Sequence, residues 1–177
     1  MKKWPNNGFT ALELIIAMAI AAILLSAGVP ALRDYTLNQR MKAAMDTLQT
    51  DLKLARGKAI GLNTQTVICP SENADDCSGL ASWQAGWIIF ADLNGDRHRQ
   101  TGEPLIRQMG FTEHIGISSS ASRSHLRFYP NGSAPGSNVT ILFCDSRGAS
   151  HAGTISVSNS GRIRSQTDGV PSSEICP

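Results

Sequence analysis

The chain has 177 residues and a net formal charge of +2. With about 60 residues given to an amino-terminal helix and what precedes it, roughly 115 remain, enough for one small domain and too few for two. Without Lys2 and Lys3, 14 basic residues face 14 acidic ones, so attraction of the whole molecule to a polyanion is excluded and any such attraction is local.

Residues 1–8 read MKKWPNNG, basic and polar, ending in glycine. From Leu14 to Leu32 no charged residue occurs for 19 positions, the length a helix needs to span a bilayer. Lys2 and Lys3 precede it, which predicts a cytoplasmic amino end and a chain that crosses outward, with a single transmembrane pass over roughly 14–32. A secretory signal carries its cleavage site after the apolar stretch; here the sharpest break, Gly8–Phe9, comes before it. Cleavage after Gly8 therefore removes a leader of residues 1–8 and keeps the apolar segment. Glu13 lies inside that segment, where a carboxylate costs at least a few kcal/mol. The new α-amino group at Phe9, on the same chain or a neighbour, is its expected partner, offsetting the burial cost and setting register between packed helices.

Gly8, Phe9, Thr10, Leu12 and Glu13, followed by an apolar stretch, resemble the type IV prepilin motif. The resemblance implies a prepilin peptidase that cuts after Gly8 and methylates Phe9. It also implies an inner-membrane anchor, and assembly with other major or minor pilins through the amino-terminal helix and Glu13. Pro30 falls where many pilins carry a helix-bending proline.

After Pro30, apolar residues recur at Met41, Ala44, Met45, Leu48, Leu52, Ala55 and Ala59, with Lys42, Asp46, Gln49 and Lys53 opposite. This spacing predicts one long helix over about residues 9–60, in a helical region of 9–62, whose second half packs one face on a core. Gly61 and Asn63 supply a stop.

Beyond residue 63 the period changes. Short β-rich runs fall at Thr66–Cys69, Gly86–Asp92, Leu105–Met109, His114–Ser118, His125–Tyr129, Val139–Cys144 and Thr154–Ser158, separated by Gly, Pro, Asn and Ser clusters. The expected fold class is α+β: a long helix packed on an antiparallel β-sheet head of residues 63–177, periplasmic or extracellular. The Ser-rich stretches 118–124 and 165–173 read as loops. The four cysteines, Cys69, Cys77, Cys144 and Cys176, allow three pairings. In an oxidising compartment Cys69–Cys77 and Cys144–Cys176 are favoured, the first closing a short polar loop and the second fixing the carboxy-terminal tail.

The stretch GWIIFADLNGD followed by GEPLIR resembles the head of the GspH/FimT group of minor pilins and pseudopilins. Its low-copy members stand at or near filament tips, so this resemblance implies a pilin fold and a filament component. Asp92, Asn94, Asp96, His98 and Glu103 fall at calcium-ligand positions of an EF-hand-like loop, but Arg97 occupies the position that needs glycine and the flanks read as strands. The favoured reading is a polar hairpin turn. No metal site, cofactor or enzyme signature is expected: the histidines are scattered and no P-loop or GxSxG occurs.

The segment GTISVSNSGRIRSQTDG alternates Ile155 and Val157 with polar residues, turns at Asn159, Ser160 and Gly161, and returns through Arg162, Ile163 and Arg164. On the return strand Arg162 and Arg164 share a face, about 6.5–7 Å apart along the chain, with Ile163 turned to the core. Two guanidinium forks so placed can each hold a phosphate without reading bases. Gly161, Arg162, Ile163 and Arg164 form a Gly-Arg-x-Arg pattern. It resembles the carboxy-terminal motif of FimT proteins that bind DNA during natural transformation, which implies DNA as a partner held by its phosphate backbone. Arg147 is expected to extend the patch. Two other readings stay open: a structural minor pilin that primes pilus assembly, and a type II secretion pseudopilin. In both, the arginines are solvated charges on an edge strand.

Overall fold

The computed structural model describes residues 10–120, 123–167 and 176. The chain divides into two compact units, Met1–Gln39 and Arg40–Pro177. The leader residues, Gly8 and Phe9, and the tail from 168 to 175 lie outside the described residues.

One helix, α1, runs from Ala11 to Gly61 and includes Pro30. Its start is a capping box. The Thr10 hydroxyl accepts the Glu13 N–H at 3.3 Å, and the Glu13 carboxylate accepts the Thr10 N–H at 3.4 Å. In the first unit the helix exposes Leu14, Ile15, Met18, Ile23, Leu24 and Leu25, and this portion is long and apolar enough to cross a membrane. In the second unit the buried positions Met41, Met45, Leu48, Leu52, Ala55 and Ala59 advance by alternate steps of four and three, so one stripe meets the core. Asn63, at φ 51°, takes the left-handed conformation that ends the helix.

Eight strands follow: β1 (Gln65–Pro70), β2 (Trp87–Asp92), β3 (Leu105–Met109), β4 (Gly116–Ser119), β5 (Leu126–Phe128), β6 (Val139–Cys144), β7 (Gly153–Val157) and β8 (Ile163–Gln166). They form two antiparallel sheets, ordered β3-β2-β1-β5 and β4-β6-β7-β8. The helix stripe shares one core with Ile68, Ile89 and Phe128 of the first sheet and Ile117, Phe143 and Ile155 of the second. The first sheet is also covered on its other face, where Val67, Cys69, Ile88 and Phe90 pack with Ala74 and Cys77. That double cover explains why β2 reads WIIFAD, an apolar run with little alternation. In the second sheet β7 keeps the alternation of a half-buried surface, buried at Gly153, Ile155 and Val157 and half-buried at Thr154 and Ser156, while Leu142 and Cys144 of β6 pack in a small cluster with Ala152 and Cys176.

A buried carboxylate ties helix to sheet. Asp51 is fully buried in the helix stripe; its Oδ2 accepts the Trp87 indole N–H at 2.8 Å, and Arg107 Nε lies 2.7 Å from Oδ1. The Arg107 contact is an ion pair off the hydrogen-bonding direction, so Oδ1 has no directed donor.

Cys69 is joined to Cys77 and Cys144 to Cys176, with Cα–Cα distances of 5.5 and 5.7 Å. Several strand boundaries differ from expectation, by one residue at β1, β2, β5 and β7. β8 runs through Gln166, into the stretch 165–173 expected to be a loop, because Ser165 and Gln166 pair with Ile155 and Thr154. His114 takes φ 63°, a left-handed turn, so its strand starts only at Gly116. That strand continues through Ser119, inside the stretch 118–124, also expected to be a loop, because Ser119 N–H donates to the Ala81 carbonyl and Ser82 bridges to Ser118.

Candidate polyanion-binding groove

The outer face of the second sheet carries small polar side chains beside Leu142. Thr140 on β6 pairs with Ser156 on β7, and Ser156 pairs with Arg164 on β8. These side chains, with Ser118, Ser120 and Asn138, line an open groove of about 850 Å³. Arg162 and Arg164 stand on one side of it. Both arginines are exposed, whereas Ile163 is partly buried against the core, as a period-two strand requires.

Arg162 itself lies one residue before β8, in the β7–β8 turn. Its carbonyl accepts the Ser158 N–H at 3.0 Å, and its own N–H donates to the Ser158 hydroxyl at 3.2 Å. Gly161 has φ 76°, and a Cβ there would collide with the Gly132 carbonyl oxygen, so the turn requires glycine by conformation and by space. A hydrogen bond from Ala134 N–H to the Asn159 carbonyl, 2.8 Å, holds the turn against the 130–137 loop.

Sequence reasoning missed Arg123, which lines the same groove. Its carbonyl accepts from Ser119 Oγ at 2.6 Å; its guanidinium donates to the Gly136 carbonyl at 2.7 Å and to Asn138 Oδ1 at 3.2 Å. The arginine lies in a serine-rich stretch without periodicity, and the only signal available was its charge. Among the described residues no aspartate or glutamate lines the groove, and no carboxylate pairs with Arg123, Arg162 or Arg164.

Arg147 is placed differently from expectation. Its guanidinium grips Asp145, with Nη2 2.6 Å from Oδ2 and Nε 3.2 Å from Oδ1, and its side chain is only 12% exposed. Burial acts to raise the Asp145 carboxyl, but the hydrogen bonds and charge of Arg147 outweigh it and hold the pKa below the usual carboxylate value. Arg147 does not line the groove, and its charge is neutralised.

The Asp92–Glu103 loop folds on its own carboxylates. Asp92 accepts the N–H groups of Gly95 and Arg97, and Glu103 accepts those of Leu93 and Gln100. Hydrogen bonding from the His98 N–H is the main cause of a lowered Asp96 pKa. Among the described residues no group of three or more His, Cys, Asp or Glu is placed to share a metal ion.

The pattern of the family described as type II transport protein GspH matches residues 44–161. The chain belongs to the GspH family. The match covers the groove floor and Arg123 and stops at Gly161, so the Arg162/Arg164 pair rests on this chain's own geometry. A fimbrial protein of Dichelobacter nodosus is 33% identical over 92 residues, 51% of this chain and 54% of the relative; the GspH-family chain thus spans about half the length of that curated relative. The type IV minor pilin FimU of Pseudomonas aeruginosa superposes with a TM-score of 0.59 at 20% identity, over 80% of this chain and 96% of FimU. The minor pseudopilin EpsH of the Vibrio cholerae type II secretion system gives 0.50 at 9% identity, over 74% and 99%. The fold is therefore a pilin fold, α+β, as the sequence implied. These two solved structures that share the fold are a minor pilin and a minor pseudopilin.

Proposed function

We propose that this GspH-family protein is a minor type IV pilin that binds extracellular DNA, without sequence preference, during natural transformation. In this reading prepilin peptidase cleaves after Gly8 and methylates Phe9. The 14–32 segment anchors the chain in the inner membrane, with the head periplasmic, or extracellular once assembled. Glu13 and the helix mediate packing with other pilins. The groove of Arg162, Arg164 and Gly161 holds phosphate.

The single observation that carries DNA binding is the groove itself. Arginines with no carboxylate partner among the described residues border a floor of hydroxyl and amide groups interspersed with Val139, Leu142 and Val157. Guanidinium groups suit bidentate phosphate contacts, and hydroxyls donate to phosphate oxygens without selecting bases. Among the described residues no aromatic side chain lines the groove, so stacking on unpaired bases has no support there. Because the processed protein has no net charge, binding is local and strongly salt-dependent.

The test is DNA binding by the detergent-solubilised chain at low and moderate salt. The double variant Arg162→Ala/Arg164→Ala is expected to bind much more weakly than wild type; equal binding overturns the assignment. The second reading is a pseudopilin of a type II secretion system, favoured by the family's own description. A deletion strain scored separately for DNA uptake, surface pili and protein secretion separates the two. Loss of secretion alone supports the second reading.

A further inference from the structure

We propose that Arg123 forms the second wall of the groove and holds a phosphate of the same DNA that Arg162 and Arg164 hold. This rests on the DNA reading above and extends it from one arginine hairpin to a two-sided clamp.

The two walls stand at one level of the sheet. Val139 and Ile163 both pair with Val157, on opposite sides of β7. Asn138 and Arg162 each lie one residue before those pairs, so they are separated by two strand spacings, about 10 Å. Arg123 is fastened to the Asn138 end of that row through Asn138 Oδ1 and the neighbouring Gly136 carbonyl. Its backbone is fixed as well, because Ser119 Oγ, which also accepts the Trp83 indole N–H at 3.1 Å, donates to the Arg123 carbonyl.

These restraints hold the side chain without cancelling its charge. Both guanidinium acceptors are neutral oxygens. Other head arginines are committed differently: Arg107 pairs with Asp51, Arg147 with Asp145, and Arg99 with Asp75. An arginine has five N–H donors, so the two bonds leave Arg123 capacity for a phosphate at little further cost in side-chain order.

The experiment uses the full-length protein in detergent and a labelled random-sequence duplex. Affinity is measured for wild type, Arg123→Gln and Arg162→Ala/Arg164→Ala between about 50 and 200 mM salt. Glutamine keeps an N–H donor for Gly136 or Asn138 and removes the charge. Loss of one phosphate contact is expected to weaken binding severalfold at low salt and to make the log–log salt slope shallower by about 0.9. A wild-type slope for Arg123→Gln, alongside a shallower slope for the double variant, overturns the Arg123 wall and leaves the DNA reading standing. If the double variant also keeps the wild-type affinity and slope, the DNA reading falls and the wall with it. Should Arg123→Gln fail to fold, phenylglyoxal labelling of wild type read by mass spectrometry decides the matter. Protection of Arg123 by the duplex supports the wall; unchanged labelling overturns it.

Discussion

Gly161 lays its α-carbon against the carbonyl of Gly132, and that same oxygen accepts a hydrogen bond from Arg56 Nε of α1 at 2.9 Å. The turn that presents Arg162 is thereby seated on the helix through one backbone atom. Gly161→Ala combines left-handed strain with a steric clash, and is expected to destabilise the protein by about 1–3 kcal/mol. Urea unfolding measures this loss. The same variant should bind DNA less well under conditions where it remains folded, because Arg162 follows the displaced turn.

Asp51 is a charge surrounded by the apolar stripe of the helix. Asp51→Ala strands the Trp87 N–H and deprives Arg107 of its counter-charge. Arg107 is 44% exposed and can rehydrate, so the expected cost is about 2–4 kcal/mol, shifted below the range for breaking a fully buried pair. An unfolding midpoint within error of wild type would show that this tether contributes nothing.

The Cys144–Cys176 bridge spans a sequence separation of 32 and closes around β7 and β8. Replacing both cysteines with alanine frees the unfolded chain, at an expected loss of about 3–4 kcal/mol. Comparing urea unfolding of the variant with that of wild type, each with and without reductant, separates this bridge from Cys69–Cys77.

His125 is held below its ordinary pKa, first by burial and then by the charges of Arg97, Arg127, His98 and Arg123. Its ring Nε2 lies 3.0 Å from Arg97 Nη1, which favours the neutral ring as acceptor. The unfolded chain therefore binds a proton here more readily than the folded one. The stability contribution is complete above about pH 6.5 and is lost as pH falls from there through the folded pKa. Melting temperatures measured from pH 7.5 down to pH 5 should fall less steeply for His125→Gln than for wild type, with pH 5 reached below the ordinary histidine value of about 6.5.

Much of the fold could be read from local pattern. Leu105–Met109 and Val139–Cys144 became strands at the predicted residues because Gly, Pro or Asn punctuates both runs. The helix face was readable because burial enforces its three-four spacing. The shared face of Arg162 and Arg164 followed from strand periodicity, although the first of them sits in the turn. What stayed hidden was non-local. Arg123 meets Asn138 only after β4 and β6 pair, and Asp51 meets Trp87 only when the helix docks. Arg147 shows a nearer signal, since its partner Asp145 is two residues away, and the turn after β6 folds Arg147 back onto that carboxylate, which removes it from the groove.

The unequal covering of the two sheets sets unequal local opening. β1 has neighbours on both sides and packing on both faces, whereas β8 pairs with β7 alone among the described strands and leaves Arg164, Ser165 and Gln166 exposed. Amide protons of β1 should exchange with deuterium at the pace of global unfolding, and those of β8 through small, frequent fraying events. A polyanion lying over β6, β7 and β8 would slow the second clock while barely touching the first.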